Sequence, residues 1–323
     1  MSDLKASLST KPRIQWNNFI IPIVFVVLFI VATIMGWPNF HKVQNLINVF
    51  RQVSYTGIIA LGMTFVIISG GIDLSVGSMA AFVGGITIFL VNTFVPESQI
   101  GVIVAVLFAL VFGALCGAIN GVVITKGRVT PFIATLGLMS IYRSLIVYFS
   151  QAGNMVSVSV VYPEIGSGVV LGIPVPVWCF VIVAIVLHVL LRNMKFGRHA
   201  MAVGANEQVA RYSAINVDLT RTIPYIITGA TVGLAALLWS SRLNSLNSSE
   251  GFGWELDAIA AVVIGGTAMT GGKGSIFGTV LGALMLGIIN NMLVLAGVSS
   301  YLQGAAKGLI IIAAVLLQYK NKQ

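Results

Sequence analysis

The sequence predicts an all-α, polytopic membrane protein with about ten transmembrane helices, some of them broken, and both termini in the cytoplasm. Three observations carry this. Hydrophobic residues make up 57% of the chain and charged residues only 8%, against roughly 25% charged in a soluble domain. The apolar residues fall into runs of the length that crosses a bilayer. The basic residues collect on one set of loops, as they do on the cytoplasmic side of membrane proteins. That asymmetry also accounts for the net charge of +9 without nucleic acid. The 35 glycines suit close helix packing and helices broken around a path.

In order, residues 1–18 form a polar tail, and the late apolar run from Phe19, without a small-residue cleavage site, reads as a retained helix and not a signal peptide. Residues 19–318 form a single membrane domain, and 319–323 a second tail. Phe19–Gly36 is the first span, closed by the interfacial Trp37 and Pro38. Leu46–Ile68 and Val76–Val91 flank the polar break Ser69–Ser75. A turn over 92–99 leads to Ile100–Thr125. The tight basic loop Lys126–Arg128 leads to Pro131–Phe149. A polar stretch over 150–174 precedes the sixth span, Val175–Leu191. The long basic loop 192–221 follows, then Ile223–Ser240 and a polar stretch to Glu255. Leu256–Met269 is short for a span and reads as tilted or broken. A second break, Thr270–Gly274, precedes Ser275–Ala296 and Tyr301–Leu317. With the N-terminus inside, thirteen of the 18 Lys and Arg residues are cytoplasmic. Loop 192–221 is then cytoplasmic, and Glu97, Glu164, Glu250, Glu255 and Asp257 face outward.

Loop 192–221 is too long to serve only as a charge anchor. At its centre, after Gly204 and Ala205, the stretch Asn206–Ala214 (Asn206, Glu207, Gln208, Val209, Ala210, Arg211, Tyr212, Ser213, Ala214) predicts a short helix. Gly204 allows a tight turn ahead of it, Asn206 is the N-cap, and Glu207 suits the first turn. Val209, Ala210 and Ser213 fall near one face and Arg211 on another. This helix reads as a handle gripped by a partner.

The break SGGIDLSVGS carries Ser69 and Asp73. It reads either as a broken helix lining a path, where a buried acid needs a cavity or a partner, or as a turn at the cytoplasmic surface with Asp73 capping the next helix. Other polar residues in or near spans, Asn120, Arg143, Asn290, Asn291 and Lys307, are candidates for a polar path or for helix–helix bonds. GGTAMTGGKGS (Gly265–Ser275) fails as a phosphate loop. Thr267 stands where the first glycine belongs, and Gly274 follows Lys273 in place of Ser or Thr. The two breaks echo each other at a constant offset: Ser69-Gly70-Gly71 matches Thr270-Gly271-Gly272. There is no catalytic arrangement, no metal-ligand spacing, and no CxxC around Cys116 or Cys179. Two classes compete: a permease subunit driven by a separate ATPase, and an ion-coupled secondary transporter. The second calls for buried acids, which are scarce here.

Five blocks in order carry a resemblance: GMTFVIISGGIDLSVGSMAA (Gly62–Ala81), KGRVTPFIATLG (Lys126–Gly137), FGRHAMAVGANEQVARYSAINV (Phe196–Val217), ELDAIAAVVIGGTAMTGGKGSIFGT (Glu255–Thr279) and GVSSYLQGAAKG (Gly297–Gly308). The chain resembles the permease subunits of the ribose/xylose/arabinose/galactose branch of ABC importers, with ribose importers nearest. The resemblance implies a bacterial inner-membrane dimer that is not itself an enzyme. It implies a cytoplasmic ATPase that binds ATP and Mg, and an extracytoplasmic binding protein that delivers a monosaccharide. Another pentose, a hexose, an autoinducer-type furanose or a nucleoside is the alternative cargo. It also makes Gly204–Ser213 the coupling helix, and Glu164, Glu250 and Glu255 candidates for docking the binding protein.

Overall fold

The computed structural model describes residues 20–94, 100–299, 301–309 and 312. Helices α1 (Ile20–Met35), α2 (Val43–Ile68), α3 (Val76–Phe94), α4 (Ile100–Thr125) and α5 (Pro131–Ser150) come first. Strand β1 (Asn154–Val156), helix α6 (Tyr162–Ser167) and strands β2 (Val169–Val170) and β3 (Ile173–Pro174) occupy the next segment. Then come α7 (Val175–Arg192), α8 (Lys195–Ala205), α9 (Glu207–Tyr212), α10 (Val217–Leu243), β4 (Ser245–Asn247), α11 (Trp254–Ile264) and α12 (Ile276–Leu295). Residues 301–309 are helical as well.

Among the described residues, seven helices are long and apolar enough to cross a membrane: α2, α3, α4, α5, α7, α10 and α12. The chain is therefore a helical, multi-pass membrane protein. The eighth predicted span is shorter than expected, 11 residues in α11, and the first is helical over the described Ile20–Met35. The tenth is helical over 301–309 and at 312 and otherwise lies outside the described residues, as do the tails and residues 95–99 of the turn.

Three details differ from the sequence reading. First, two short strand pairs accompany the helices of the all-α fold. β1 pairs antiparallel with β4, and β2 with β3, in the segments read as polar connections. Second, α10 begins at Val217, not Ile223. Asn216 accepts a hydrogen bond from the Leu219 N–H at 3.0 Å, and Asp218 sits in the first turn, so a good cap extends the helix into polar sequence. Third, the polar loop holds two helices, α8 and α9, instead of one.

The helices form an inner and an outer layer. The apolar stretch of α2 is 83% buried and that of α3 72%, against 22% in α7 and 28% in α4. Helix α4 shows why. Ile103, Leu107, Val111, Leu115 and Ile119 recur every four residues on its exposed face. Ala105, Ala109, Gly113, Gly117 and Gly121 recur every four on the buried one. The small stripe meets Gly229 and Gly233 of α10 backbone to backbone. A Cβ on Gly117 would lie 2.1 Å from the Tyr225 carbonyl oxygen, and one on Gly229 2.1 Å from that of Gly113. In lipid, where tails compete for apolar contact, such small-residue seams are what hold helices together.

Candidate functional site

The polar segment between α7 and α10 builds one half of the site. Asn206 ends α8 and caps α9, its Oδ1 accepting the Val209 N–H at 3.0 Å. Ala210 turns inward and packs with Val203, Val217 and Ile215. Val209, Arg211, Tyr212 and Ser213 face out, Tyr212 almost fully exposed at 89%. The exposed side of α9 thus includes Val209 and Tyr212, and Ala210 is the foot that seats the helix. Sequence periodicity grouped Ala210 with Val209 because it could not see which side was already covered.

Charge fixes α9 to the body. Glu207 pairs with Arg211 at 2.8 Å and with Arg221 of α10 at 2.7 Å. Asp218 lies 3.6 Å from Lys126 of the α4–α5 loop and 3.9 Å from Arg211. The Arg211 hydrogen bond, ahead of the charge on Arg221, holds the Glu207 carboxyl below the usual glutamate range. A cavity of about 500 Å³ opens beside this cluster, lined in part by Ser69, Gly70, Arg128, Glu207, Arg211 and Arg221.

The other half is the pair of breaks. Gly70 and Gly271, equivalent in the sequence echo, both adopt left-handed backbone, at φ 83° and 82°. The Gly272 N–H donates to the Ile68 carbonyl at 2.8 Å, so the two breaks are joined directly. The end of α8 closes over that joint. A Cβ on Gly204 would lie 1.8 Å from the Ile68 oxygen and 2.7 Å from the Gly272 nitrogen. Gly204 is therefore a helical residue whose missing side chain allows this approach, not the turn that the sequence suggested. Ala205 packs on Gly272 in the same way. Thr64 and Thr279 share a hydrogen bond of 2.8 Å between the hydroxyls of α2 and α12.

The remaining polar candidates separate into distinct groups. Asp73 is fully buried, which removes the surface turn, and it holds Ser75, the residue just before α3. Its carboxylate accepts the Ser75 N–H at 2.9 Å, the Ser75 hydroxyl at 2.6 Å and the Asn120 amide at 3.0 Å. Tyr142 donates to Asn120 at 2.9 Å. The Ser69 hydroxyl donates to its own helix at Val66. Arg143 donates to the backbone carbonyls of Ser248 and Glu250 and so pins the loop after β4. Asn291 exchanges amide hydrogen bonds with Asn45. Lys307 pairs with Asp257 at 3.0 Å. Glu164 is exposed, whereas Glu250 and Glu255 are half-buried. Among the described residues no cluster of metal-ligating side chains occurs.

Residues 45–315 match the family model described as branched-chain amino acid transport system / permease component. The chain belongs to this permease family. It is 42% identical over 302 residues to the ribose import permease RbsC of Escherichia coli K12, covering 92% of each chain. It is 41% identical over 297 residues to RbsC of Bacillus subtilis, covering 91% of this chain and 90% of that one. The L-arabinose permease AraH of Escherichia coli K12 is 34% identical over 330 aligned positions, covering 100% of this chain and 98% of AraH. No solved structure matches the permease.

Proposed function

We propose that this chain is the membrane-spanning permease subunit of an ATP-driven ABC importer that carries a monosaccharide, ribose, across a bacterial inner membrane. The observation that carries the reading is identity of 41–42% to ribose import permeases over at least nine-tenths of both chains. Two copies form the working dimer in the bilayer. A separate cytoplasmic ATPase binds ATP and Mg, and an extracytoplasmic binding protein delivers the sugar, with Glu164 as the exposed acid for its docking and Glu250 and Glu255 behind it. Nucleotide chemistry is assigned to the partner. The loop Gly265–Ser275 follows a helix instead of a strand, and the glycines that would approach a phosphate are covered by α8.

In this reading the ATPase grips the outer face of α9, at Val209 and Tyr212. Closure of the ATPase on ATP displaces α9 and, through Asn206, α8. Gly204 passes that displacement to the breaks after α2 and α11, and the helices they join swing between outward and inward access. The test is uptake of labelled ribose by proteoliposomes holding the permease with its ATPase and binding protein. Uptake that requires ATP hydrolysis is expected. Uptake that persists without the ATPase, or that follows an ion gradient, would overturn the reading.

A further inference from the structure

A second cavity, of about 230 Å³, lies at the opposite end of α10 from α8 and α9, between α2, α10, α11, α12 and the helical residues 301–309. Its walls mix aromatic and polar groups. The Trp239 ring stands edge-on to Tyr55 at 5.0 Å and to Trp254 at 5.5 Å, making a right-angled aromatic corner. Asn290 and Gln52 border it, and the Lys307–Asp257 pair closes one side.

Three groups here are buried without a hydrogen bond: the Tyr55 hydroxyl, the Trp239 indole N–H and the Asn290 amide oxygen. Tyr55 itself is 1% exposed. Arg242 approaches the Tyr55 hydroxyl and Glu250 the Trp239 N–H, both from outside the cavity lining. A buried polar group left unmatched costs stability, and in native proteins it calls for an explanation. Three such groups around one hollow share an explanation if a ligand supplies the partners.

We infer that this cavity is a monosaccharide subsite of the permease. The inference rests on the sugar-import reading and deepens it by naming where the sugar sits. The unmatched set holds a donor, an acceptor and a group that does both, which suits hydroxyls because each hydroxyl donates and accepts. The aromatic corner suits the apolar C–H face of a sugar ring. The one charged pair is already mutually neutralised, so an uncharged ligand fits. The volume equals that of about eight waters at roughly 30 Å³ each, the scale of one monosaccharide. A neighbouring cavity of about 310 Å³ shares Gln52 and Val294 and is lined by amides and arginines: Asn45, Asn48, Asn291, Arg51 and Arg242. It forms the approach to the subsite.

The test uses Tyr55→Phe and Asn290→Leu in proteoliposomes with the ATPase and binding protein, reading labelled ribose uptake beside ATP hydrolysis. Each substitution removes an unmatched polar atom at nearly constant shape, so a merely structural role predicts no loss. A drop in ribose uptake of roughly tenfold per variant is expected, with stimulation of ATP hydrolysis by the loaded binding protein retained. A photoreactive ribose derivative on the unsubstituted permease should label peptides holding Tyr55, Trp239 or Asn290. Wild-type uptake by both variants, or labelling confined to other peptides, would overturn the subsite. Absence of ATP-dependent uptake by the unsubstituted complex would instead overturn the sugar-import reading itself.

Discussion

At the scale of single residues, the important positions are those where an atom is missing or a proton is shared. Gly204 is the first kind. Gly204→Ala places a methyl carbon where the Ile68 carbonyl already sits, so α8 must lift from the joint. The variant should insert and assemble with its ATPase yet lose most ATP-coupled uptake, read as ATP hydrolysed per sugar imported. Asp73 is the second kind. Asp73→Asn turns an acceptor of three hydrogen bonds into a group whose amide meets a donor at Ser75 or Asn120. A loss of about 1–3 kcal/mol is expected, visible as a lower melting temperature in detergent. Glu207 supplies a pH dependence. Its folded carboxyl is held below the ordinary range, so its contribution is present above the unfolded pKa and fades as pH falls through the folded one. The effect is modest, because the pair is partly exposed and screened by salt. Amides 207–212 should exchange hydrogen faster below the glutamate range, and Glu207→Gln should flatten that dependence.

At the scale of elements, the α4–α10 seam makes the sharpest prediction. Gly117→Leu inserts a side chain into the backbone of α10 and should prevent stable assembly, measured as loss of monodisperse protein. Ile119→Ala, on the lipid-facing side of the same helix, should stay within about ±0.5 kcal/mol of the parent. Much of this level was legible in sequence. Apolar run length located seven long helices, and Asn206 announced the cap of α9. The start of α10 was missed because Asn216 and Asp218 look like loop residues until the cap is seen. The strands were missed for a related reason. Two or three residues carry no period, and β1 and β4 are brought together only by the packing of the helices between them.

At the scale of the whole molecule, class and family were legible because composition and five ordered blocks extend over most of the chain. The inner and outer layers were not, since lipid and protein interior demand the same apolar residues and only the small-residue stripes tell them apart. The aromatic corner was hidden likewise. Tyr55, Trp239 and Trp254 belong to three distant segments, and each alone passes for a packing residue. The Val209 and Tyr212 face yields a prediction that involves the assembly. Introduction of negative charge there, Tyr212→Asp with Val209→Asp, should weaken copurification with the ATPase at least tenfold while leaving the melting temperature of the isolated permease within a degree or two.

The contact at Gly204 also bears on timing. Side chains that separate two helices can change rotamer and absorb a small push, so motion on one side need not arrive on the other. Here carbonyl, amide and Cα meet with nothing between them. A displacement of α8 therefore reaches the segments after α2 and α11 in the same instant. Fluorescent reporters placed one beside Gly70 and one beside Gly272 should then respond to ATP with a single shared rate constant, and neither break should open ahead of the other.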